Sequence, residues 1–84
     1  MTSYFVTFRS VTYAQRGERV LRSAGIGCSM QRTPRVLEER GCGYSLALSA
    51  GALYQAVAAL RQGNVPFRRV YLRDGDGSIR EVEL

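Results

Sequence analysis

Short stretches of alternating apolar and polar residues occur at intervals along the chain and predict β-strands. In the first stretch, Tyr4, Val6 and Phe8 share one face of the strand, whereas Phe5 and Thr7 share the other. Similar stretches predict four strands and allow a short fifth one at the C-terminus. The predicted strands cover residues 3–9, 26–31, 44–48, 67–73 and 78–84.

Two further stretches have apolar residues at the three- and four-residue spacing of an amphipathic helix. The first covers residues 12–24, where Thr12 and Gln15 fit a capping box and Gly25 is a typical stop signal. The second covers residues 49–62. The apolar positions of the two predicted helices are Ala14, Gly17, Val20, Leu21, Ala24, Leu53, Val57 and Leu60.

Residues 32–43 have a different character from the segments on either side. Pro34 suits the first position of a short helix that would end at Gly41, but the same residues are equally compatible with a loop. Near the C-terminus, residues 74–77 read Asp-Gly-Asp-Gly, which is typical of a turn. Arg68 and Arg69, on the fourth predicted strand, are interpreted as protection of a sheet edge.

The order strand–helix–strand–strand–helix–strand is typical of the ferredoxin-like α+β sandwich. We expect one domain over residues 1–84, with a core at 3–73 and a C-terminal hairpin or tail at 74–84. The expected antiparallel sheet has four strands in the order 4-1-3-2, both helices on one face and an optional extra C-terminal strand. In this topology three features lie at the same end of the sheet. They are the end of the first strand, the start of the first helix and the connection between strands 2 and 3.

The composition excludes several kinds of chemistry. The 84 residues include no histidine, which removes the common general base, the Cys–His pair and the commonest metal ligand. Two cysteines are too few for a disulfide framework. We therefore expect no metal and no bound cofactor. All twelve basic residues are arginine and the net charge is +5, which favours anionic partners.

Residues 41–60 contain no charged side chain and have the length of a membrane span. Their glycine, serine, tyrosine and alanine content fits a strand followed by a helix better than a membrane helix. The apolar start of the chain is short and interrupted by Thr7 and Arg9, so it does not resemble a signal peptide. We expect a cytoplasmic protein with reduced thiols and no membrane partner.

Cys42 is the candidate for chemistry because it lies between two glycines, Gly41 and Gly43, at the end of the sheet where the first helix begins. The helix dipole and nearby guanidinium groups would lower the pKa of a thiol within reach. The arginines expected at this end are Arg9, Arg16, Arg32, Arg35 and Arg40. Alternatively, Cys42 continues the core-facing series of Tyr44 and is a small packing residue. Cys28 alternates in phase with Ile26 and Met30 on the core-facing side of its strand, and we expect it only to pack in the core.

Several short motifs occur in an order that resembles one known family, the small bacterial selenium/sulfur (Se/S) carrier protein-like domains. They are the strand at residues 4–8, Ser10 and Ala14, the junction at 24–26, the segment Thr33-Pro34-Arg35 and the pair Cys42-Gly43. The resemblance extends over residues 3–72. It implies that Cys42 carries sulfur or selenium as a persulfide or selenopersulfide. Where family members have small hydroxyl residues before the cysteine, this chain has Glu39-Arg40-Gly41.

The resemblance therefore predicts a small thiol carrier without turnover chemistry of its own. Its implied partners are a sulfur or selenium donor of the cysteine desulfurase type and an acceptor protein. Arg35 and Arg40 would stabilise the thiolate or dock an acidic partner, Gly41 and Gly43 would give access, and Thr33 and Pro34 match the family's segment before the cysteine.

Two alternatives remain open. A non-catalytic regulatory or assembly module, including a homodimer, would use the outer sheet face, where Ser29, Ser45 and Ala47 are small and uncharged. A nucleic-acid-binding module is less favoured, because the outward positions of the third strand carry no aromatic ring on which a base could stack.

Overall fold

A computed structural model describes residues 3–33 and 43–83 of the chain. Over these ranges the chain forms an α+β fold with two α-helices and five strands. A single turn of 3-10 helix, Ala50–Ala52, precedes the second α-helix. The elements are β1 (Ser3–Thr7), α1 (Val11–Ser23), β2 (Cys28–Arg32), β3 (Tyr44–Ser49), α2 (Leu53–Gln62), β4 (Val70–Arg73) and β5 (Ile79–Val82).

The five strands form one antiparallel sheet in the order β2-β3-β1-β4-β5. In its centre, Val6 of β1 lies opposite Leu46 of β3 and Val70 of β4. The optional C-terminal strand is present as β5, so the sheet has five strands rather than four. Because β5 pairs with β4, β4 is an inner strand and not the sheet edge that the sequence suggested.

Both helices pack on the sheet face that carries Val6, Leu46 and Val70. The helix residues that meet this face are small or aliphatic and fully buried, and burial of such apolar surface is the main favourable contribution to folding. They include Ala14 and Leu21 of α1 and Ala56, Val57 and Leu60 of α2.

The opposite face of the sheet is also partly closed. The rings of Phe5 and Tyr71 stack with their centroids 5.7 Å apart, and the Arg73 guanidinium lies 5.2 Å from the centre of the Phe5 ring. Phe5 and Tyr71 are only 3% and 6% exposed, and Ser45 beside them is buried as well. This face is therefore closed around Phe5, Tyr71 and Ser45, whereas Ser29 on β2 is exposed.

The first helix begins at a different cap from the one predicted. Ser10 has an extended backbone, and its side-chain oxygen accepts a hydrogen bond from the N–H of Tyr13 at 3.3 Å, so Ser10 rather than Thr12 is the N-cap. At the other end, Gly25 has a φ of +77°. The N–H of Ile26 donates to the carbonyl of Leu21, which completes a Schellman motif.

This motif also explains why β2 begins at Cys28 and not at residue 26, since Ile26 is still engaged in the helix terminus. The second helix ends in the same way. Asn64, with a φ of 56°, takes the left-handed position, and the N–H of Val65 donates to the carbonyl of Leu60. The charge-free stretch is a strand followed by a helix wherever the structure describes it. Neither α-helix in the described ranges is long and apolar enough to cross a membrane.

Candidate functional site

The predicted convergence of elements is found at one end of the sheet. At this end Thr7 of β1 lies opposite Ser45 of β3, and Arg32 of β2 lies opposite Tyr44. Helix α1 begins three residues after β1, at Ser10 and Val11. The end of β1, the start of α1, the end of β2 and the start of β3 are therefore neighbours, as the sequence suggested.

The residues predicted to form the thiol site are only partly described. Cys42, Pro34, Arg35, Arg40 and Gly41 lie outside the described ranges. Thr33 and Gly43 are described, and the N–H of Thr33 donates a hydrogen bond to the Gly43 carbonyl at 2.6 Å. This bond extends the β2–β3 ladder by one step, so Thr33 and Gly43 lie side by side.

The side chain of Thr33 is unusual at this position. Thr33 is only 7% exposed, and its hydroxyl has no hydrogen-bond partner among the described residues. A buried hydroxyl without a partner costs on the order of 1–3 kcal/mol, so such groups in native proteins call for an explanation. Thr33 is thus a polar group at the end of β2 that is able to donate to, or accept from, another group.

Tyr44 does not continue the core-facing series of Leu46 and Leu48 into the interior. It is 36% exposed, and the Arg32 guanidinium lies 5.6 Å from the centre of its ring. The cation and the aromatic face attract each other at such a distance. The apolar side of β3 therefore gives way to a polar, solvent-exposed surface next to Gly43.

The other cysteine, Cys28, lies at the start of β2 and packs against the apolar core. Burial raises the pKa of its thiol above the ordinary value, and the nearby carboxylate of Glu18 acts in the same direction. A hydrogen bond to Arg22 and the charge of that guanidinium lower the pKa in part. Cys28 is consequently a poor source of thiolate near neutral pH.

A second feature at this end of the sheet is a cleft of about 420 Å³, which we call the basic cleft. It lies between the segment that follows β1 and the segment that precedes β4. Three arginines and two aromatic residues are among those that line it. Its lining residues are Arg9, Tyr13, Pro66, Phe67, Arg68 and Arg69.

Arg68 and Arg69 have a part in this cleft that was not predicted from the sequence. Their interpretation as edge protection is wrong, because β4 lies between β1 and β5. The regular strand also starts only at Val70, so neither arginine belongs to β4. The available signal was the run Pro66-Phe67-Arg68-Arg69, which places an aromatic ring beside two charges. Arg9 and Arg16 were both expected at this end of the sheet. Arg9 lines the cleft, and the Arg16 guanidinium lies 5.9 Å from the centre of the Tyr13 ring.

No group of three or more histidine, cysteine, aspartate or glutamate side chains that could hold a metal ion occurs in the part of the chain that the structure describes. The model of one protein family, described as "Putative Se/S carrier protein-like", matches residues 3–72. The chain belongs to this family. The match confirms the resemblance noted in the sequence. No match was found among curated proteins or among solved structures.

The family match extends from β1 into β4. It includes both cysteines, the Thr33–Gly43 pair and all residues of the basic cleft, whereas β5 lies beyond it. The family's name indicates sulfur or selenium as a cargo.

Proposed function

We propose that this protein is a small thiol carrier that holds sulfur or selenium on Cys42 as a persulfide or selenopersulfide and passes it to a partner. Membership of the Se/S carrier protein-like family carries this proposal, because the matched residues include Cys42. A carrier of this kind needs one accessible thiolate. It needs neither histidine nor a metal ion, and the sequence contains no histidine.

The choice between the two cysteines rests on the surroundings of Cys28. Its thiol packs against the core and has a raised pKa, which disfavours the thiolate that must attack a donor. Cys42 is bonded to Gly43, beside a surface where Tyr44 is exposed and carries Arg32 over its ring. These surroundings support Cys42 as the carrier thiol.

The neighbours of Cys42 in the sequence have proposed roles of their own. Gly41 and Gly43 leave the sulfur uncrowded. Arg35 and Arg40 stabilise the thiolate or dock an acidic partner. Thr33 lies beside Gly43 at the end of the ladder, and its buried hydroxyl has no hydrogen-bond partner among the described residues, which supports a polar contact to the cargo or to the segment that carries it. Pro34 stiffens the start of that segment.

The carrying step exchanges one sulfur–sulfur bond for another. The Cys42 thiolate attacks the terminal sulfur of a donor persulfide, R–S–SH. A new bond forms between Cys42 and that sulfur, the donor S–S bond breaks, and the donor leaves as a thiolate, so the step involves no net oxidation. An acceptor nucleophile then attacks the terminal sulfur and releases the Cys42 thiolate. With selenium, the attacked atom is the selenium of R–S–SeH.

These steps require a donor protein of the cysteine desulfurase type and an acceptor protein. They also require a reducing compartment, so we assign the carrier to the cytoplasm. For the scaffold, we propose that the first four strands and the two helices form a ferredoxin-like sandwich, to which β5 adds an edge strand. This proposal is supported by the strand order β2-β3-β1-β4-β5 and by the packing of both helices on one face.

The proposal is tested by loading the protein with sulfur. The parent protein, Cys42→Ser and Cys28→Ser are each incubated with a cysteine desulfurase and free cysteine, and the products are analysed by intact and peptide mass spectrometry. We expect the parent and Cys28→Ser to gain the mass of one sulfur atom on Cys42, whereas Cys42→Ser gains none. Loading on Cys28, or equal loading of all three proteins, would contradict the proposal.

A second measurement tests the activation of the thiol. The rate of alkylation of each cysteine is followed as a function of pH, with Cys28 as the internal reference. We expect Cys42 to react with an apparent pKa below the ordinary thiol value of about 8.5. If Cys42 reacts as slowly as Cys28, the carrier lacks its physical basis.

A further inference from the structure

The basic cleft is fixed by backbone pairing between distant parts of the chain. The N–H of Thr7 donates to the Arg69 carbonyl at 2.9 Å, and the N–H of Arg68 donates to the Thr7 carbonyl at 2.8 Å. The Thr7 hydroxyl accepts from the N–H of Arg69 at 3.2 Å and lies 3.3 Å from the Arg69 carbonyl. Arg9 follows Thr7 by two residues, so this pairing brings Arg9 and the Arg68-Arg69 segment to the same cleft.

The charge of the cleft is one-sided. Among the described residues that line it, three are arginines and none is acidic. The Arg69 guanidinium donates to Glu81 of β5 at 2.8 Å, so part of its charge is offset by a carboxylate outside the lining. Arg9 is exposed and has no hydrogen-bond or ion-pair partner among the described residues. The first turn of α1, which borders the cleft at Tyr13, contains no acidic residue.

The remaining walls are apolar. Phe67 packs against the core cluster, and Pro66 and the Tyr13 ring line the same cavity. A volume of about 420 Å³ lies in the range of small-molecule sites, roughly 300–1,000 Å³. The lining thus combines arginines with aromatic and apolar residues, which is more specific than an exposed basic patch.

We propose that the basic cleft binds the phosphate group of a small molecule. A guanidinium donates two parallel hydrogen bonds to phosphate oxygens, and a phosphate monoester carries a charge of about −1.5 to −2 near neutral pH. Arg9, which has no ion-pair partner among the described residues, supplies such a donor, and Arg68 and Arg69 add positive charge to a lining that contains no acidic residue. A dianion suits this charge better than a ligand with a single carboxylate. Inorganic phosphate and a nucleoside monophosphate both supply this group, and a planar base would in addition lie against Phe67 and Tyr13.

This inference does not depend on the chemistry of Cys42. Its test is a titration of the ¹⁵N-labelled protein, at constant ionic strength, with adenosine monophosphate, inorganic phosphate and adenosine in separate arms. We expect saturable shifts of the Arg9, Tyr13 and Phe67 amide signals with both phosphates and none with adenosine. Tighter binding of adenosine monophosphate than of inorganic phosphate would identify a ring-bearing ligand, and equal binding would identify phosphate itself as the recognised group; either result supports the proposal.

Two variants distinguish binding in the cleft from non-specific attraction by the net positive charge of the protein. Arg9→Ala removes one guanidinium from the cleft, and we expect it to weaken binding at least tenfold. Arg19→Ala removes an equally exposed arginine about 9 Å further along α1 than Tyr13, and we expect it to leave the affinity unchanged. Equal weakening in both variants, no saturation with either phosphate, or adenosine binding as well as its monophosphate would overturn the proposal.

Discussion

The close contact between α1 and the sheet at Gly17 gives a prediction whose size follows from the structure. Gly17 is buried in the middle of α1. A Cβ atom at this position would lie 2.9 Å from Cζ and 3.1 Å from Cε2 of Phe8, and 3.3 Å from Cδ1 of Leu46. Carbon atoms that are not bonded to each other prefer a separation of about 3.5–4.0 Å. The absence of a side chain at Gly17 therefore allows α1 to approach the sheet.

The substitution Gly17→Ala would force these groups apart. Phe8 is 1% exposed and Leu46 is fully buried, so neither side chain has free space into which to move. Extra methyl groups in a packed core cost about 1–3 kcal/mol. The higher helix propensity of alanine offsets about 1 kcal/mol of this cost. We expect a net decrease in the free energy of unfolding of about 1 kcal/mol, which corresponds to a Tm lower by about 4–8 °C in a domain of this size.

The measurement is urea unfolding followed by circular dichroism, with the m-value checked for constancy. Gly51→Ala is the matched control, because no heavy atom lies within 4 Å of the added Cβ at Gly51 and this glycine has no positive φ. We expect the control to be neutral or slightly stabilising, since it only restricts the unfolded chain. If Gly17→Ala is as stable as the parent protein, the contact with Phe8 does not limit the packing of α1, and the reasoning is refuted.

Three further predictions concern a cap, a thiol and a turn. Ser10→Ala removes the acceptor of the Tyr13 N–H and should lower the free energy of unfolding by about 1 kcal/mol, whereas Ser23→Ala at the exposed end of α1 should have little effect in the same urea assay. Because burial raises the pKa of Cys28, its alkylation at neutral pH should be slower than that of a free cysteine, and equal rates would contradict this account. The backbone and side-chain hydrogen bonds from Ser78 lower the pKa of Asp76, so its carboxyl should titrate below the ordinary value in an NMR pH titration, and the stabilisation of the turn should be lost as the pH falls through that pKa. Ser78→Ala should move this pKa only part of the way back, because the backbone hydrogen bond remains.

The element pattern was predictable from sequence, but the element boundaries were not. Alternation and helical spacing reflect which side chains face the core, and these patterns predicted both helices and all five strands. The position of a helix cap depends on the backbone angles of one or two residues, and neighbouring residues of similar type can adopt those angles equally well. Serine and threonine are both favoured at N-caps, so residue type does not separate Ser10 from the predicted Thr12, and the extended backbone of Ser10 identifies it as the cap.

One part of the candidate site was likewise predictable from the sequence, and another part was not. Cys42 is visible in the sequence because cysteine is rare here and lies between two glycines. The basic cleft was not predicted, because its walls come from Arg9 and from Arg68 and Arg69, which pairing across the sheet brings together. The decisive contact joins Thr7 and Arg69, 62 positions apart. Local patterns contain no information about such pairs until the strand register is known.

The composition of this chain makes its thiol chemistry unusually direct to measure. All its basic side chains are arginines, and a guanidinium keeps its charge throughout the accessible pH range. Without histidine or lysine, the side chains with ordinary pKa values between about 5 and 9.5 are the two cysteines alone. The positive charge of the side chains around the end of the sheet is therefore constant across this range. A change of cysteine reactivity between pH 5 and about 9.5 then reports the ionisation of a thiol and not of another side chain. The difference between the profiles of Cys42 and Cys28 therefore measures how strongly their surroundings separate a carrier thiol from a packing residue.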